Sequence, residues 1–183
     1  IFMDEWKSLY ESKSGERGIF NRASANKMAE KTGRRQIEGH EFGTNPCSEI
    51  ILRDREFCNL SECVVRPTDT RETLLKKVEL ATIIGTFQST LTNFKYVSSA
   101  WKRNCEEERL LGVSLTGIMD CKLTNGKEGD LEKLLAELRE VAVETNKKWA
   151  KKLGINQSVS ITCVKPSGTV SQLVDAASGI HAR

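Results

Sequence analysis

The sequence has no long apolar run. None of its 183 residues falls in a stretch of 18 consecutive apolar positions, and the first residues do not form a signal-peptide pattern. Membrane-spanning helices and secretory leaders need such segments. We therefore expect a soluble, cytoplasmic protein that has no membrane partner.

Histidine and closely paired cysteines are also scarce. The chain has two histidines, and its six cysteines include no C-x-x-C pair. Structural zinc sites use tighter Cys and His spacings, so the sequence predicts no metal site. The wide spacing also argues against a disulfide framework and favours a reducing compartment with a few active thiols.

Strong charge is missing as well. The net charge is +3, aromatic residues make up 6% of the chain, and no basic run is interleaved with aromatics. Such a chain is not a nucleic-acid platform, and we expect no direct nucleic-acid binding. A mild positive charge would still help an anionic nucleotide to bind.

Strand signals lie in three places. Residues 43–65 read as two extended segments, Glu49–Leu52 and Cys58–Val65, joined by a charged turn at Arg53–Glu56. Buried strands are predicted at 110–115 and 158–164. The leading segment, residues 1–42, mixes an amphipathic start with turns and polar residues.

Two long helices separate these strands. Asp69 and Glu72 have the spacing of a capping box for a helix that reaches about Asn93, and the apolar later half of this helix predicts burial on all sides. Asp130 is expected to cap a second helix, which Gly154 ends. Strands that alternate with long helices predict an α/β chain with parallel strands.

The most informative stretch is Thr44–Ile50, T-N-P-C-S-E-I. Pro46 biases Asn45 away from the helical region, so the segment is expected to be extended. Asn45, Cys47 and Glu49 would then share one face and present an amide, a thiol and a carboxylate to one small substrate. The structural alternative is a strand edge that holds a buried cysteine.

Four further segments weigh against that alternative. They are F-C-N-L-S-E (57–62), R-L-L-G-V-S-L-T-G-I-M-D (109–120), K-P-S-G-T-V-S-Q-L (165–173) and G-I-H-A-R (179–183). With T-N-P-C-S-E-I they resemble the catalytic subunit of ribonucleotide reductases, most closely the adenosylcobalamin-dependent class II enzymes. The five segments occur in family order across about three quarters of the chain.

The resemblance implies a fold. The family's catalytic domain is a ten-stranded α/β barrel with the catalytic cysteine on a central finger loop. Residues 43–65 would form this loop and the following strand, residues 66–164 further helices and strands, and residues 165–183 a phosphate-binding turn. The family's second redox cysteine, allosteric loops and tail cysteines have no counterpart here. We therefore expect a partial barrel, either a cropped fragment or one chain of a divided enzyme that other polypeptide chains complete.

The resemblance also implies roles for single residues. Cys47 would carry the thiyl radical, Glu49 would act as general base on the substrate's 3′-hydroxyl, and Asn45 would hold the ribose hydroxyls. Cys58 would be one of two cysteines that reduce the 2′ position, with its partner on another polypeptide. The remaining thiols are interpreted as packing groups: Cys63, Cys105, Cys121 and Cys163.

The substrate phosphates are expected at the Pro-Ser-Gly-Thr turn. Hydroxyls and backbone amides where a strand gives way to a helix form an anion site. The predicted substrate-binding residues are Ser48, Pro166, Ser167, Gly168 and Thr169. His181 is assigned no catalytic role, because Ala182 stands where the family usually has proline.

The predicted function is reduction of ribonucleotides to 2′-deoxyribonucleotides by thiyl-radical chemistry. It implies adenosylcobalamin as cofactor, a ribonucleoside di- or triphosphate as substrate, and a dithiol reductant such as thioredoxin. Two alternatives stay open. One is a class I large-subunit piece that takes its radical from a metal-bearing subunit, and the other is a non-catalytic assembly module.

Overall fold

The computed structural model describes residues 1–13, 18–34, 41–179 and 181. Within them, no helix is both long and apolar enough to cross a membrane. The elements in chain order are α1 (Phe2–Ser12), α2 (Arg22–Lys31), β1 (Gly43–Thr44), β2 (Ile51–Leu52), β3 (Asn59–Val64), α3 (Arg71–Gln88), α4 (Ser99–Glu108), β4 (Leu111–Thr116), a 3₁₀ turn (Ile118–Asp120), α5 (Leu131–Leu153) and α6 (Gly168–Leu173).

Parallel strands form the centre of the fold. β3 pairs with β4 in parallel, from Asn59 opposite Leu111 to Val64 opposite Thr116. On the other side of β4, the backbone of 160–163 continues the sheet. Leu111 N donates to Ser160 O at 2.9 Å and Cys163 N donates to Val113 O at 3.1 Å. The predicted α/β chain with parallel strands is confirmed, although the strand expected over 158–164 is reduced to one bridge, Val113 to Thr162.

One face of this sheet carries the hydrophobic core. Alternate residues of β3 and β4 point towards α3 and α5, as the two-residue period of a strand requires. The core is built from β3, β4, α3, α5 and the turns beside them: Cys63, Val65, Leu74, Val78, Ala81, Leu111, Val113, Cys121, Leu134, Leu138, Ala142 and Ile161. The opposite face of the sheet is therefore left for other contacts, and Cys58, Glu62 and Ser114 belong to it by the same alternation.

Helix α5 forms where its sequence signals place it. The Asp130 side chain accepts a hydrogen bond from Lys133 N at 3.0 Å, which caps the first turn. Gly154 ends the helix with a left-handed backbone at φ 65°. Both boundary predictions are confirmed.

Helix α3 differs from its prediction at both ends and on its surface. Its cap is Thr70, which exchanges hydrogen bonds with Thr73, and the helix ends at Gln88. Asp69 instead forms an ion pair with Lys77, Oδ2 to Nζ at 2.5 Å. Ile84 is 62% exposed, so the expectation of burial on all sides is wrong. Only one side of the helix meets the sheet and α5.

Three helices lie in segments whose role the sequence left vague. The amphipathic start forms α1, but none of its side chains is buried. Helices α2 and α4 occupy polar stretches for which no helix was predicted. Neither sequence has a strong apolar period. In α4, polar and charged side chains such as Asn104 and Glu108 occupy buried positions.

Candidate active site

The segment around Cys47 is a hairpin loop and not an extended strand. β1 and β2 pair antiparallel, Gly43 opposite Leu52 and Thr44 opposite Ile51. Between them Ser48 N donates to Asn45 O at 3.0 Å, which closes a tight turn. Ser48 has a left-handed backbone at φ 62°. The prediction that alternation along a strand aligns the Asn45, Cys47 and Glu49 side chains is therefore wrong.

The Asn45 side chain stabilises this loop. Its Oδ1 accepts a hydrogen bond from Ile50 N at 3.1 Å across the loop. Thr44 Oγ1 donates to the same oxygen at 3.4 Å. The amide oxygen is thus used by the protein itself, and the predicted role of Asn45 towards a sugar would depend on its amide nitrogen.

Glu49 is held by a lysine from the far end of the chain. Lys165 Nζ lies 2.9 Å from Glu49 Oε1, and the Glu49 side chain is 7% exposed. Burial by itself raises the pKa of Glu49, but Lys165, the backbone amide of Glu49 and the Asn45 amide together outweigh it and lower the pKa overall. Among the described residues, neither Glu49 oxygen has a hydrogen-bond partner of normal geometry. The ion pair therefore carries this contact.

Cys47 lies at the exposed end of the same loop. The negative charge of its thiolate would raise the pKa of Lys165, as Glu49 does more strongly. Cys47, Glu49 and Lys165 thus interact electrostatically. A hairpin loop brings them together, and not the extended strand that the sequence predicted.

Cys58 has a neighbour that the sequence interpretation treated as packing. A Cβ atom placed on Gly112 would lie 3.1 Å from Cys58 Sγ and 3.1 Å from Cys163 Sγ. Burial raises the pKa of both thiols, that of Cys163 to about 12, and the charge of Cys163 raises the pKa of Cys58 further. Cys163 therefore lies beside Cys58, whereas Cys63, Cys105 and Cys121 are buried as predicted.

Cys58 directly precedes β3 on one side of β4, and Cys163 belongs to the 160–163 backbone on the other side. Neighbouring strands are about 4.8 Å apart, so the Cα atoms of Cys58 and Cys163 are separated by roughly 10 Å. Disulfides need Cα atoms within about 7 Å of each other. The arrangement therefore favours a shared pocket over Gly112 and not a bond between these two thiols.

Gly112→Ala should destabilise the protein by about 1–3 kcal/mol, because an added methyl overpacks this pocket. The new Cβ would lie 2.5 Å from Leu60 Cδ2 besides the two sulfurs. Chemical denaturation of the full-length polypeptide measures the change. Gly43→Ala is the matched control, since a Cβ there meets no atom within 4 Å. Equal stability of both variants would contradict the pocket described here.

The Pro-Ser-Gly-Thr turn lies beside an acidic side chain. Ser167 has a left-handed backbone at φ 58°, and α6 begins at the next residue. Ser167 Oγ donates to Glu62 Oε1 at 2.5 Å. Gly168, Thr169 and Pro166 are exposed. A phosphate at this turn would meet the amides and hydroxyl of 168–169, while Glu62 engages the Ser167 hydroxyl.

A buried charge cluster fixes the base of the hairpin. Arg34 Nε donates to Glu108 Oε2 at 2.8 Å, and Arg34 NH1 donates to Ile51 O at 2.7 Å. Arg53 binds Glu56, Nε to Oε1 at 3.3 Å, and Asn104 O of α4 at 2.8 Å. Burial and the charge of Glu108 raise the pKa of Glu56 to about 7, against the lowering effect of the two arginines. The sequence interpretation reduced 53–56 to a charged turn.

The remaining candidates add little. His181 is exposed, and its ring Nδ1 lies 3.1 Å from Ser178 O. In the part of the chain that the structure describes, no group of three or more His, Cys, Asp or Glu side chains could hold a metal ion.

Comparisons with known proteins agree on one family. A scan against protein-family models found no match. The adenosylcobalamin-dependent ribonucleoside-triphosphate reductase of Lactobacillus delbrueckii subsp. bulgaricus is 30% identical over 169 aligned positions, which cover 79% of this chain and 23% of that protein. The reductase of the same name from Lactobacillus gasseri is 29% identical, over 92% of this chain and 26% of its own length.

A solved structure gives the same result. The crystal structure of a B12-dependent (class II) ribonucleotide reductase matches with a TM-score of 0.63 and 30% identity, over 76% of this chain and 22% of that chain. These similarities identify the chain as a member of the ribonucleotide reductases. More narrowly, it is a homologue of a segment of the class II, adenosylcobalamin-dependent enzymes. It spans about a quarter of the length of the relatives it matches.

Proposed function

We propose that this chain is part of the catalytic barrel of an adenosylcobalamin-dependent ribonucleotide reductase. The observation that carries the proposal is the Glu49–Lys165 ion pair, 2.9 Å long. It joins the loop that bears Cys47 to the residue directly before the Pro-Ser-Gly-Thr turn. A thiol, a carboxylate and a candidate phosphate site are thereby connected. A reductase that binds both the sugar and the phosphates of a nucleotide requires such an arrangement.

The chemistry follows from these side chains. Cys47 is at an exposed position, which fits a radical that must reach its sulfur from outside the loop. Adenosylcobalamin, when bound, would supply the radical that takes the S–H hydrogen of Cys47. The resulting thiyl radical removes the substrate's 3′ hydrogen, and the ionised Glu49 accepts the proton of the 3′-hydroxyl.

Cys58 would supply reducing equivalents for the 2′ position together with a second cysteine outside the described residues. The separation of the strands argues against Cys163 as that partner. A dithiol protein of the thioredoxin kind would then reduce the disulfide. The relatives are named ribonucleoside-triphosphate reductases, which favours a triphosphate over a diphosphate as substrate.

Further segments or chains would complete the barrel in the cytoplasm. An apolar groove of about 560 Å³ runs between α5 and the edge of the sheet, lined in part by Leu135, Val164 and Thr162. Leu135 is 45% exposed and Val164 is 59% exposed. Apolar surface of this kind is stabilised when another element covers it, which supports the proposal of a partial barrel whose loop 45–50 is the finger loop.

The test uses the purified reductase polypeptide that contains this chain. With a ribonucleoside triphosphate and a dithiol reductant, we expect deoxynucleotide formation only when adenosylcobalamin is added and without any metal-bearing subunit. Hydroxocobalamin, which lacks the adenosyl group, is the control. Reduction that instead needs a di-iron or di-manganese partner would make this a class I enzyme. Failure under both conditions would favour a non-catalytic assembly module.

A further inference from the structure

The backbone of Lys165 is held in place between the hairpin loop that bears Glu49 and the Pro-Ser-Gly-Thr turn. Its backbone N donates to Ser114 Oγ of β4 at 3.0 Å. Its carbonyl oxygen is in tight contact with Gly179, where an added Cβ would lie only 2.6 Å from it. Pro166 and Ser167 follow directly and form the turn. Movement of the lysine backbone relative to that turn is therefore restricted.

The side chain of Lys165 reaches back to the hairpin. It is 20% exposed, while that of Glu49 is 7% exposed. A buried carboxylate without a counter-charge tends to take up a proton. Lys165 opposes this, because its ammonium group favours the ionised form of Glu49 and Glu49 in turn raises the pKa of Lys165.

Other titratable groups surround the pair. The hairpin contributes Cys47, β3 contributes Glu62, the residue before β3 is Cys58, and the third parallel segment contributes Cys163. Glu49 raises the pKa of Cys58 and of Cys163, whereas Lys165 lowers the pKa of Cys163. Lys165 thus offsets the acidic groups around Cys163 and Glu49, and Arg34 acts in the same direction on Cys58.

The two oxygens of Glu49 are not equivalent. Oε1 pairs with Lys165 Nζ at 2.9 Å, whereas Oε2 is buried and has no hydrogen bond of normal geometry among the described residues, although the Asn45 amide and the Glu49 backbone amide are close enough to the carboxyl to lower its pKa. A buried acceptor without a donor carries a free-energy cost. A substrate hydroxyl would remove that cost by donating to Oε2.

We infer that Lys165 is the positioning residue of the general base: it holds Oε1 of Glu49, directs Oε2 to the substrate hydroxyl, and fixes the base relative to the phosphate turn. The inference rests on the proposed function and adds a residue to it. In the proton-transfer step the hydroxyl proton moves to Glu49, and Lys165 keeps its own protons.

The test compares Lys165→Met and Lys165→Arg in the same full-length reductase. The methionine variant should lose about 10²-fold in kcat near neutral pH, within the range that general-base catalysis contributes. Glu49 must be ionised to act, so activity falls as pH drops through its pKa. Loss of the lysine raises that pKa, and the acidic limb of the pH–rate profile should move to higher pH. The Lys165→Arg variant should keep most of the wild-type kcat, and the acidic limb of its pH–rate profile should stay at the wild-type position.

A control and a direct measurement separate positioning from folding. Lys77 also forms a partly buried ion pair, with Asp69 at 2.5 Å, but on the helix side of the sheet. Lys77→Met should leave the pH profile unchanged. Carbon-13 NMR of labelled glutamate should show the Glu49 carboxyl titrating at higher pH in Lys165→Met.

Two outcomes overturn different statements. If Cys47→Ser is inactive but Lys165→Met keeps wild-type kcat, pH profile and Glu49 titration, the positioning role is wrong while the proposed function stands. If Cys47→Ser and Glu49→Gln both keep activity, the proposed function itself fails.

Discussion

Replacing Cys47 by serine should lower nucleotide reduction by roughly 10³-fold or more in the full-length reductase, as is typical when the residue that starts the chemistry is lost. A hydroxyl O–H bond is much stronger than a thiol S–H bond. A serine oxygen therefore cannot exchange hydrogen atoms reversibly with the ribose. The assay measures deoxynucleotide formed per enzyme under saturating substrate, reductant and adenosylcobalamin.

The fold should tolerate this change. Cys47 is exposed in its loop, so Cys47→Ser should unfold at the same denaturant concentration as the wild type. Cys121→Ser is the matched control, since its buried sulfur lies in the core and contacts Asp69 O at 3.8 Å. It should keep its activity once folded. Turnover by Cys47→Ser within about tenfold of wild type would rule out the radical role.

Replacing Glu108 by alanine should cost about 3–5 kcal/mol of stability, the usual result of breaking a buried ion pair from one side. The side chains of Glu108 and Arg34 are 0% and 4% exposed. Without Glu108, the guanidinium of Arg34 would keep Glu56, 3.2 Å from NH2 to Oε2, and the carbonyl of Ile51 as polar partners. Chemical denaturation of the full-length polypeptide measures the loss.

The damage should concentrate in the hairpin. Arg34 and Arg53 connect β2 and the following turn to α4, so hydrogen exchange of the peptide 43–56 should accelerate more than that of α5. Glu107→Ala is the control, because Glu107 is 35% exposed and binds Arg53 at 2.9 Å. It should cost less than about 1 kcal/mol, as for other solvent-accessible ion pairs. Equal losses for Glu107→Ala and Glu108→Ala would contradict the role assigned to the buried cluster.

Local signals in the sequence determined the regular elements of the sheet and α5. Strand signals in the sequence predicted β3 and β4 to within a residue, and Asp130 and Gly154 defined both ends of α5. These signals work because a cap, a left-handed glycine and a strand alternation each depend on a few neighbouring residues. The family resemblance rests likewise on short segments, and it identified Cys47, Glu49 and Cys58 as the chemical candidates.

Local signals failed where a residue forms a contact other than the one that its pattern predicts. The sequence predicted Asp69 as the N-cap of α3, but the cap is Thr70, because Asp69 forms an ion pair with Lys77. Helix α4 was missed because its buried side is polar: Glu108 accepts a hydrogen bond from Arg34, and the Asn104 side chain donates to Asp54 O. A charged residue gives no sequence signal of burial when its counter-charge lies more than fifty positions away.

The sequence by itself thus determined the residue types of the site and the strands next to them. Only the tertiary structure decided how these residues meet. It turned 45–50 into a hairpin loop, brought Lys165 to Glu49, and set Cys163 beside Cys58 over Gly112. The physical reason is that such contacts arise from packing three parallel segments and a hairpin together. The free energy of these contacts depends on pairs of residues that are far apart in the sequence. A local sequence pattern therefore cannot predict them.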